Sequence, residues 1–266
     1  MVSDFLLTLW TADLDLAREA DLAEIDRIGV DLETLGKAAR QSGRPTWISP
    51  HTLDDLRALR RTVSRARLFV RCNAMGPHSA GEIEAVLRAG AEILMLPNFV
   101  ALDEVARFAG LIDGRARLVP LVERVAACEA IAGLPGLGIE EIHVGLNDLS
   151  IDLGAANRLT VLAHPLLDDL AGEARRAGIR FCVGGVAAPD DTGLPVPPDL
   201  VYAQHARLGS TGALIARSFF RGAGQRRGLK ARIARLRARI SWWRDAPAEE
   251  LERARQALLR FGDRAA

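Results

Sequence analysis

The run Arg117-Leu118-Val119-Pro120-Leu121-Val122-Glu123, together with the next such run, Glu141-Ile142-His143-Val144-Gly145-Leu146-Asn147-Asp148, decides the reading of the fold. Each is a short apolar stretch of strand length that breaks off in a carboxylate or a glycine, and the two are separated by far more chain than a hairpin turn needs. The pattern extends in both directions. Strand-like runs recur at Phe5 to Trp10, Asp26 to Leu32, Arg67 to Asn73, Glu92 to Leu96, Arg180 to Val186 and Ala213 to Phe219. Amphipathic stretches such as Ala80 to Ala89 and Leu102 to Ile112 lie between them, long enough to cover one face of a sheet. Strands alternating with helices argue for parallel pairing through crossovers. Eight such units over residues 1–220 predict an α/β fold of the (β/α)8 TIM-barrel type. A doubly wound open sheet is the competitor, but no Gly-x-Gly-x-x-Gly turn follows the first strand.

The 266 residues are 49% apolar, with 35 basic and 34 acidic side chains. No stretch approaches the ~20 apolar residues that span a bilayer, and the opening Met-Val-Ser-Asp-Phe-Leu-Leu has no basic leader, so a cytoplasmic protein without a membrane partner is expected. Three widely spaced cysteines argue against a disulfide scaffold or a cysteine-based zinc site. The near-zero net charge hides a division: residues 221–266 hold 13 basic and 5 acidic side chains, leaving residues 1–220 with 22 and 29. The chain therefore divides into a barrel, 1–220, and a basic helical C-terminal extension, 221–266. Leu229, Ile233, Leu236, Ile240 and Trp243 form one stripe of a helix, and a second helix is expected from Pro247 to Phe261. The pair either caps the barrel or docks on the acidic surface of a neighbouring subunit in a homo-oligomer. A nucleic-acid partner is disfavoured, because the basic tail comes with no RNA-binding aromatics or fold motif.

In a parallel barrel the chemistry sits on the rim where strands end. The residues there are Asp31 with Glu33, Arg71 with Asn73, Pro97, Glu123, Asn147 with Asp148, Gly184 with Gly185, and Ser218. Glu123 and Asp148 come from adjacent strands and can meet. Paired oxygen ligands with room for water suit Mg²⁺ or Mn²⁺; alternatively each carboxylate caps the helix that follows it. Arg71 leaves an apolar strand at the mouth, where its fork of donors suits a carboxylate or an enolate oxygen, or neutralises Glu33 or Glu123. Gly145 at a strand exit permits close backbone approach, or marks an ordinary turn. Gly184-Gly185 and Gly209-Ser210 are candidate phosphate contacts or plain turns.

Taken together, Val30-Asp31-Leu32-Glu33, Phe69-Val70-Arg71-Cys72-Asn73-Ala74-Met75-Gly76, Gly90-Ala91-Glu92-Ile93-Leu94-Met95-Leu96-Pro97, Glu123, and Val144-Gly145-Leu146-Asn147-Asp148-Leu149-Ser150-Ile151-Asp152-Leu153-Gly154 resemble the HpcH/HpaI aldolase and citrate lyase β-subunit family. The resemblance covers roughly residues 5 to 220. It implies a phosphoenolpyruvate/pyruvate-type barrel that binds Mg²⁺ or a similar ion and makes or breaks a carbon–carbon bond through an enolate. Glu123 and Asp148 then resemble the metal ligands, Arg71 the arginine that steadies the enolate, and the backbone of Gly145 to Asp148, with Gly145 and Asn147, the receiver of the substrate carboxylate. A lysine Schiff base is the rival way to stabilise such an enolate. The chain has two lysines, Lys37 and Lys230, and neither lies in a predicted strand, which favours metal chemistry.

The sequence departs from the sugar-acid aldolases of that family, where a Glu-His pair follows strand two: here Glu33 is followed by Thr34. The general base is left among Glu33, a metal-associated water and a histidine from elsewhere, His205 first. His143 reads as a packed strand residue, His51 as the opening of a helix. The loop from Thr34 to Ser49, with Lys37 and Arg40, is expected to shape the acceptor pocket and contact substrate. The expected activity is thus a divalent-metal-dependent carbon–carbon lyase acting on a 2-oxo acid. The alternatives are a thioester lyase of the citrate or malyl-CoA lyase type and a non-catalytic carboxylate-binding barrel.

Overall fold

The computed structural model describes residues 5–36, 49–220 and 228–262. Eight strands, β1 (Leu6–Trp10), β2 (Arg27–Asp31), β3 (Arg67–Arg71), β4 (Ile93–Leu96), β5 (Arg117–Val122), β6 (Glu141–Val144), β7 (Arg180–Val186) and β8 (Gly212–Ile215), pair in parallel in sequence order. The closing pair is β1 with β8. The sheet is a closed barrel, and the expected α/β (β/α)8 architecture is what the chain forms.

The helices are α1 (Leu14–Leu22), α2 (Leu53–Thr62), α3 (Ser79–Arg88), α4 (Leu102–Ile112), α5 (Leu146–Asp152), α6 (Pro165–Arg176), α7 (Pro198–Arg207), α8 (Leu229–Arg244) and α9 (Ala248–Leu259). Their starts follow from local chemistry. The Asp13 carboxylate accepts from the amides of Asp15 and Leu16, and Thr52 with Asp55 forms a reciprocal capping box. Between β5 and β6 the crossover is a run of 3₁₀ turns, Val125–Leu137. Pro135 lies inside it, and proline cannot donate the amide that an α-helix interior requires.

Two apolar cores result from the alternation of side chains along each strand. Residues pointing outward, such as Leu7, Ile28, Leu68, Leu94 and Val144, pack under the helices. Residues pointing inward, Phe69, Ile93, Met95, Val119 and Leu121 with Trp10 beside them, fill the barrel. Strands buried on both faces are expected to be largely apolar, and the charged residues of these, such as Arg27, Asp31, Arg67 and Arg71, sit at strand ends.

The last strand is shorter than the sequence pattern suggested. It ends at Ile215, and Arg217–Phe220 turns into a 3₁₀ helix with Phe219 buried, so Ser218 sits on that turn rather than at a strand exit. An apolar run cannot by itself separate strand from buried turn.

The predicted stripe of α8 is buried along its whole length, from Leu229 to Trp243. Its polar faces meet acids of the same chain. Lys230 pairs with Glu24 (2.8 Å), Arg237 with Asp26 (2.7 Å), Arg235 with Asp190 (3.1 Å), and the Arg239 fork with Asp199 (2.5 and 2.7 Å). Arg255 of α9 donates to the carbonyl of Ala163. The basic extension thus caps its own acidic barrel. No helix among the described residues is long and apolar enough to cross a membrane.

Candidate active site

Register builds the site. In the β2–β3 pair, Asp31 and Arg71 are Cα partners at the exit of both strands. Their side chains therefore leave the sheet side by side, and the guanidinium closes a fork on the carboxylate: Nε to Oδ1 at 2.8 Å and Nη2 to Oδ2 at 2.6 Å. The remaining terminal nitrogen, Nη1, is 3.4 Å from Glu33 Oε2. Burial opposes the charge on Arg71. The Asp31 fork outweighs it, aided by Glu33 and Glu123, and the guanidinium pKa is raised. Arg71 is a fixed cation whose orientation Asp31 sets.

On the opposite side, Val122 of β5 is in register with Val144 of β6, and the Gly145 amide donates to the Val122 carbonyl at 2.9 Å. Gly145 consequently lies against Glu123. A Cβ at position 145 would stand 2.9 Å from Glu123 Oε2 and 3.0 Å from its Cβ. Its backbone is ordinary in dihedral terms (φ −89°), so close approach to Glu123 rather than conformation favours glycine here. Glu123 does not cap the helical turns that follow it. Its Oε1 instead accepts from the amide of Asn98 (2.8 Å), a residue held in the left-handed region (φ 52°) just past β4. Asp148 sits in the first turn of α5, and Gly145 is the residue preceding that helix. Asn147 is exposed on the same turn, where its carbonyl accepts from Ser150 Oγ at 2.6 Å.

Asp31, Glu33, Glu123 and Asp148 are each 2–7% exposed. Burial pushes the Glu123 carboxyl up to about 8. The charges of Glu33 and Asp148 add to the shift; Arg71 and the Asn98 amide work against it. Among the described residues the cluster thus sets four carboxylates around one guanidinium. Among the described residues no three His, Cys, Asp or Glu side chains form a metal cage. One or two carboxylates with water filling the other positions is how Mg²⁺ is usually held, so the donor set of Glu123 and Asp148 fits such an ion.

Several supporting contacts are not visible in the sequence pattern. The Asn73 side chain accepts from the amides of Thr34 and Leu35 (both 2.9 Å) and donates to Glu82 (2.9 Å), clamping the chain that carries Glu33. His51 Nδ1 accepts from the Asp31 amide at 3.0 Å, and Ser49 Oγ donates to Asp31 Oδ2 at 3.1 Å. The sequence pattern marks His51 as a helix opening and Ser49 as the end of the loop over the mouth. Their position beside Asp31 depends on the path of the loop, which no local pattern encodes.

Other expectations are corrected. His205 is not at the mouth. It lies on α7, fully buried, with Nδ1 3.1 Å from Ser210 Oγ and its ring edge-on to Phe5. Phe5 and Ser210 precede β1 and β8, which puts His205 at the opposite end of the barrel from Glu123. Burial, with His143 and Arg244 nearby, lowers its pKa to about 3, as expected for a neutral packing residue. His143 is a buried strand residue as read, with Nε2 3.2 Å from the Gly184 carbonyl. Gly184 adopts φ 52° where the β7–β8 register shifts between Cys182 and Gly185. That glycine pair is accounted for by a strand irregularity rather than by an anion cradle. Lys37 and Arg40, expected to contact substrate, lie outside the described residues.

No protein-family model matches this sequence, and no curated protein matches it. Solved structures do. An HpcH/HpaI aldolase/citrate lyase family protein from Burkholderia cenocepacia J2315 superposes with a TM-score of 0.60 at 17% identity, over 80% of this chain and 88% of that one. The chain is similar to that protein in fold. RipC from Yersinia pestis gives a TM-score of 0.58 at 16% identity, covering 93% of this chain and 98% of its own.

Proposed function

We propose that this protein is a divalent-metal-dependent carbon–carbon lyase of the aldolase type, acting on a 2-oxo acid through an enolate. The observation that carries the reading is the cluster of four buried carboxylates about Arg71, with Glu123 and Asp148 as the pair that would hold Mg²⁺ or Mn²⁺. The bound ion would act as a Lewis acid toward the keto and carboxylate oxygens of the substrate.

The chain's own residues supply the remainder. Arg71, locked by Asp31, points an N–H edge into the mouth beside Glu33 and Glu123. A guanidinium held there needs no reorientation when negative charge develops on a neighbouring oxygen, which is how preorganised donors lower a barrier. The first turn of α5, where Asn147 is exposed, would offer its backbone N–H groups to the substrate carboxylate, the Gly145 amide being held by Val122. Cleavage of a 4-hydroxy-2-oxo acid breaks the C3–C4 bond and releases an aldehyde. The C4 hydroxyl gives up its proton, and the bonding pair moves onto the 2-oxo acid fragment, whose C3 then takes a proton. Glu33, the buried carboxylate beside Arg71 Nη1, is the proton carrier we assign.

The test is calorimetric. Pyruvate titrated into the protein with saturating Mn²⁺ is expected to bind. In EDTA, or in Glu123→Gln and Asp148→Asn proteins, binding is expected to be lost. Equal pyruvate binding with and without the ion would overturn the reading.

A further inference from the structure

The opposite, N-terminal mouth of the barrel opens into a cavity of about 990 Å³ whose chemistry differs from that of the active rim. The first residue of β2, β3, β5 and β7 is an arginine: Arg27, Arg67, Arg117 and Arg180. All four line this cavity, joined by Arg65 and by Lys230 and Arg237 of α8. Arg27 and Arg67 are Cα partners across β2 and β3. Like charges directly opposite one another on neighbouring strands are destabilising.

Acids offset only part of this. Glu141 takes the Arg27 fork (2.5 and 2.7 Å) and stands 3.3 Å from Arg180. Glu140 is 3.4 Å from Arg117, while Glu24 and Asp26 are held by Lys230 and Arg237. Among the described residues seven cations thus face four carboxylates, a surplus of three. Arg67 has no acid partner among the described residues, and Glu24, whose carboxylate feels the charge of Arg65, is already bonded by Lys230. Arg237 Nε is buried with no hydrogen-bond partner. A recess walled by apolar side chains such as Leu6, Ile93 and Ile233 focuses the field of these charges.

We propose that this cavity is a binding site for a small anion carrying two or three linked phosphate groups, separate from the carboxylate cluster at the other mouth. A planar guanidinium fork matches phosphate oxygens in two-point contact, and several forks around one recess select a chain of phosphates over a single anion. The surplus of three charges matches such a chain, and the volume is at the upper end of small-ligand sites. Arg65 and Arg67 are the primary contacts, because their side-chain donors form no ion pair with acids among the described residues.

Calorimetric titration of the full chain in EDTA, with inorganic tripolyphosphate and with ATP, tests the site. Saturable one-to-one binding is expected, weakened by about tenfold or more in the Arg65→Gln/Arg67→Gln protein. It should be retained in the Glu123→Gln/Asp148→Asn protein. Equal affinity for the two probes means that the phosphate chain alone is read; tenfold preference for ATP means a nucleotide site; either supports the proposal. Circular dichroism confirms that the arginine variant is folded, and the single Arg67→Gln protein should show an intermediate affinity. Absence of saturable binding, unchanged affinity in the folded arginine variants, or tighter binding of a single-stranded oligonucleotide lost in the same variants would overturn it.

Discussion

Replacing Asp31 by Asn isolates the element on which the arrangement of the site turns. The substitution keeps the size of the side chain and one carbonyl acceptor, but removes the charge that fixes Arg71. Two contacts are affected, at 2.8 and 2.6 Å, between side chains that are 17% and 4% exposed. Truncating one partner of a buried pair costs ~3–5 kcal/mol. The retained acceptor and Glu33, 3.4 Å from Nη1, recover part of this, which leaves a loss of about 2 kcal/mol. For a domain of this size that corresponds to a fall in Tm of roughly 4–8 °C. Freed from Asp31, the guanidinium turns toward Glu33 and Glu123. The N–H edge proposed to meet the substrate oxygen is misplaced, and kcat is expected to fall by about 10²-fold with a smaller change in KM. Differential scanning calorimetry and steady-state pyruvate exchange measure the two effects. An Asp31→Asn protein with unchanged Tm and unchanged turnover would show that Asp31 does not anchor Arg71.

The remaining predictions are more local. Gly145→Ala places a methyl against the Glu123 carboxylate, so Mn²⁺ affinity measured by calorimetry should fall severalfold while Tm changes little; unaltered affinity would argue against the close approach. Glu141→Gln strips the acid from the Arg27 fork in the barrel interior and should cost ~3–5 kcal/mol in urea unfolding, with a near-neutral result contradicting the burial of that pair. His205 is held neutral, its folded pKa of about 3 lying below the ordinary 6.5. The unfolded chain therefore binds the extra proton first as pH falls, so the stability due to this group is complete above 6.5 and is lost progressively toward pH 3. His205→Gln should flatten that limb in unfolding free energy measured against pH and leave turnover intact. Parallel profiles, or lost activity, would contradict the placement of His205 away from the mouth.

What the sequence discloses, and what it hides, follow the range of the interactions involved. Strand positions were legible because each run is apolar on both faces, and the rim positions of Arg71, Glu123 and Asp148 follow from where those runs stop. Asp31 was visible at the rim but not as the partner of Arg71, since that pairing depends on the register of β2 with β3. His51, Asn73 and Asn98 act through loops whose paths are set by tertiary contacts. His205 misled because a histidine shortly before a strand reads the same whether it faces the mouth or the base. The tail's positive charge was plain, but the acids it meets, Glu24, Asp26, Asp190 and Asp199, are spread across the chain and gathered only by folding. The arginines that open four strands were equally plain in the sequence and acquired meaning only when the barrel closed them around one recess.

The central claim is that the Glu123 and Asp148 pair supports enolate formation beside Arg71. Incubating the protein with pyruvate and Mg²⁺ in D₂O, and following loss of the methyl proton signal by NMR, tests it most directly. The account predicts exchange well above the protein-free rate, abolished by EDTA and in the Glu123→Gln, Asp148→Asn and Arg71→Gln proteins. Exchange no faster than background in the intact protein, or exchange that persists when both carboxylates are gone, would contradict it.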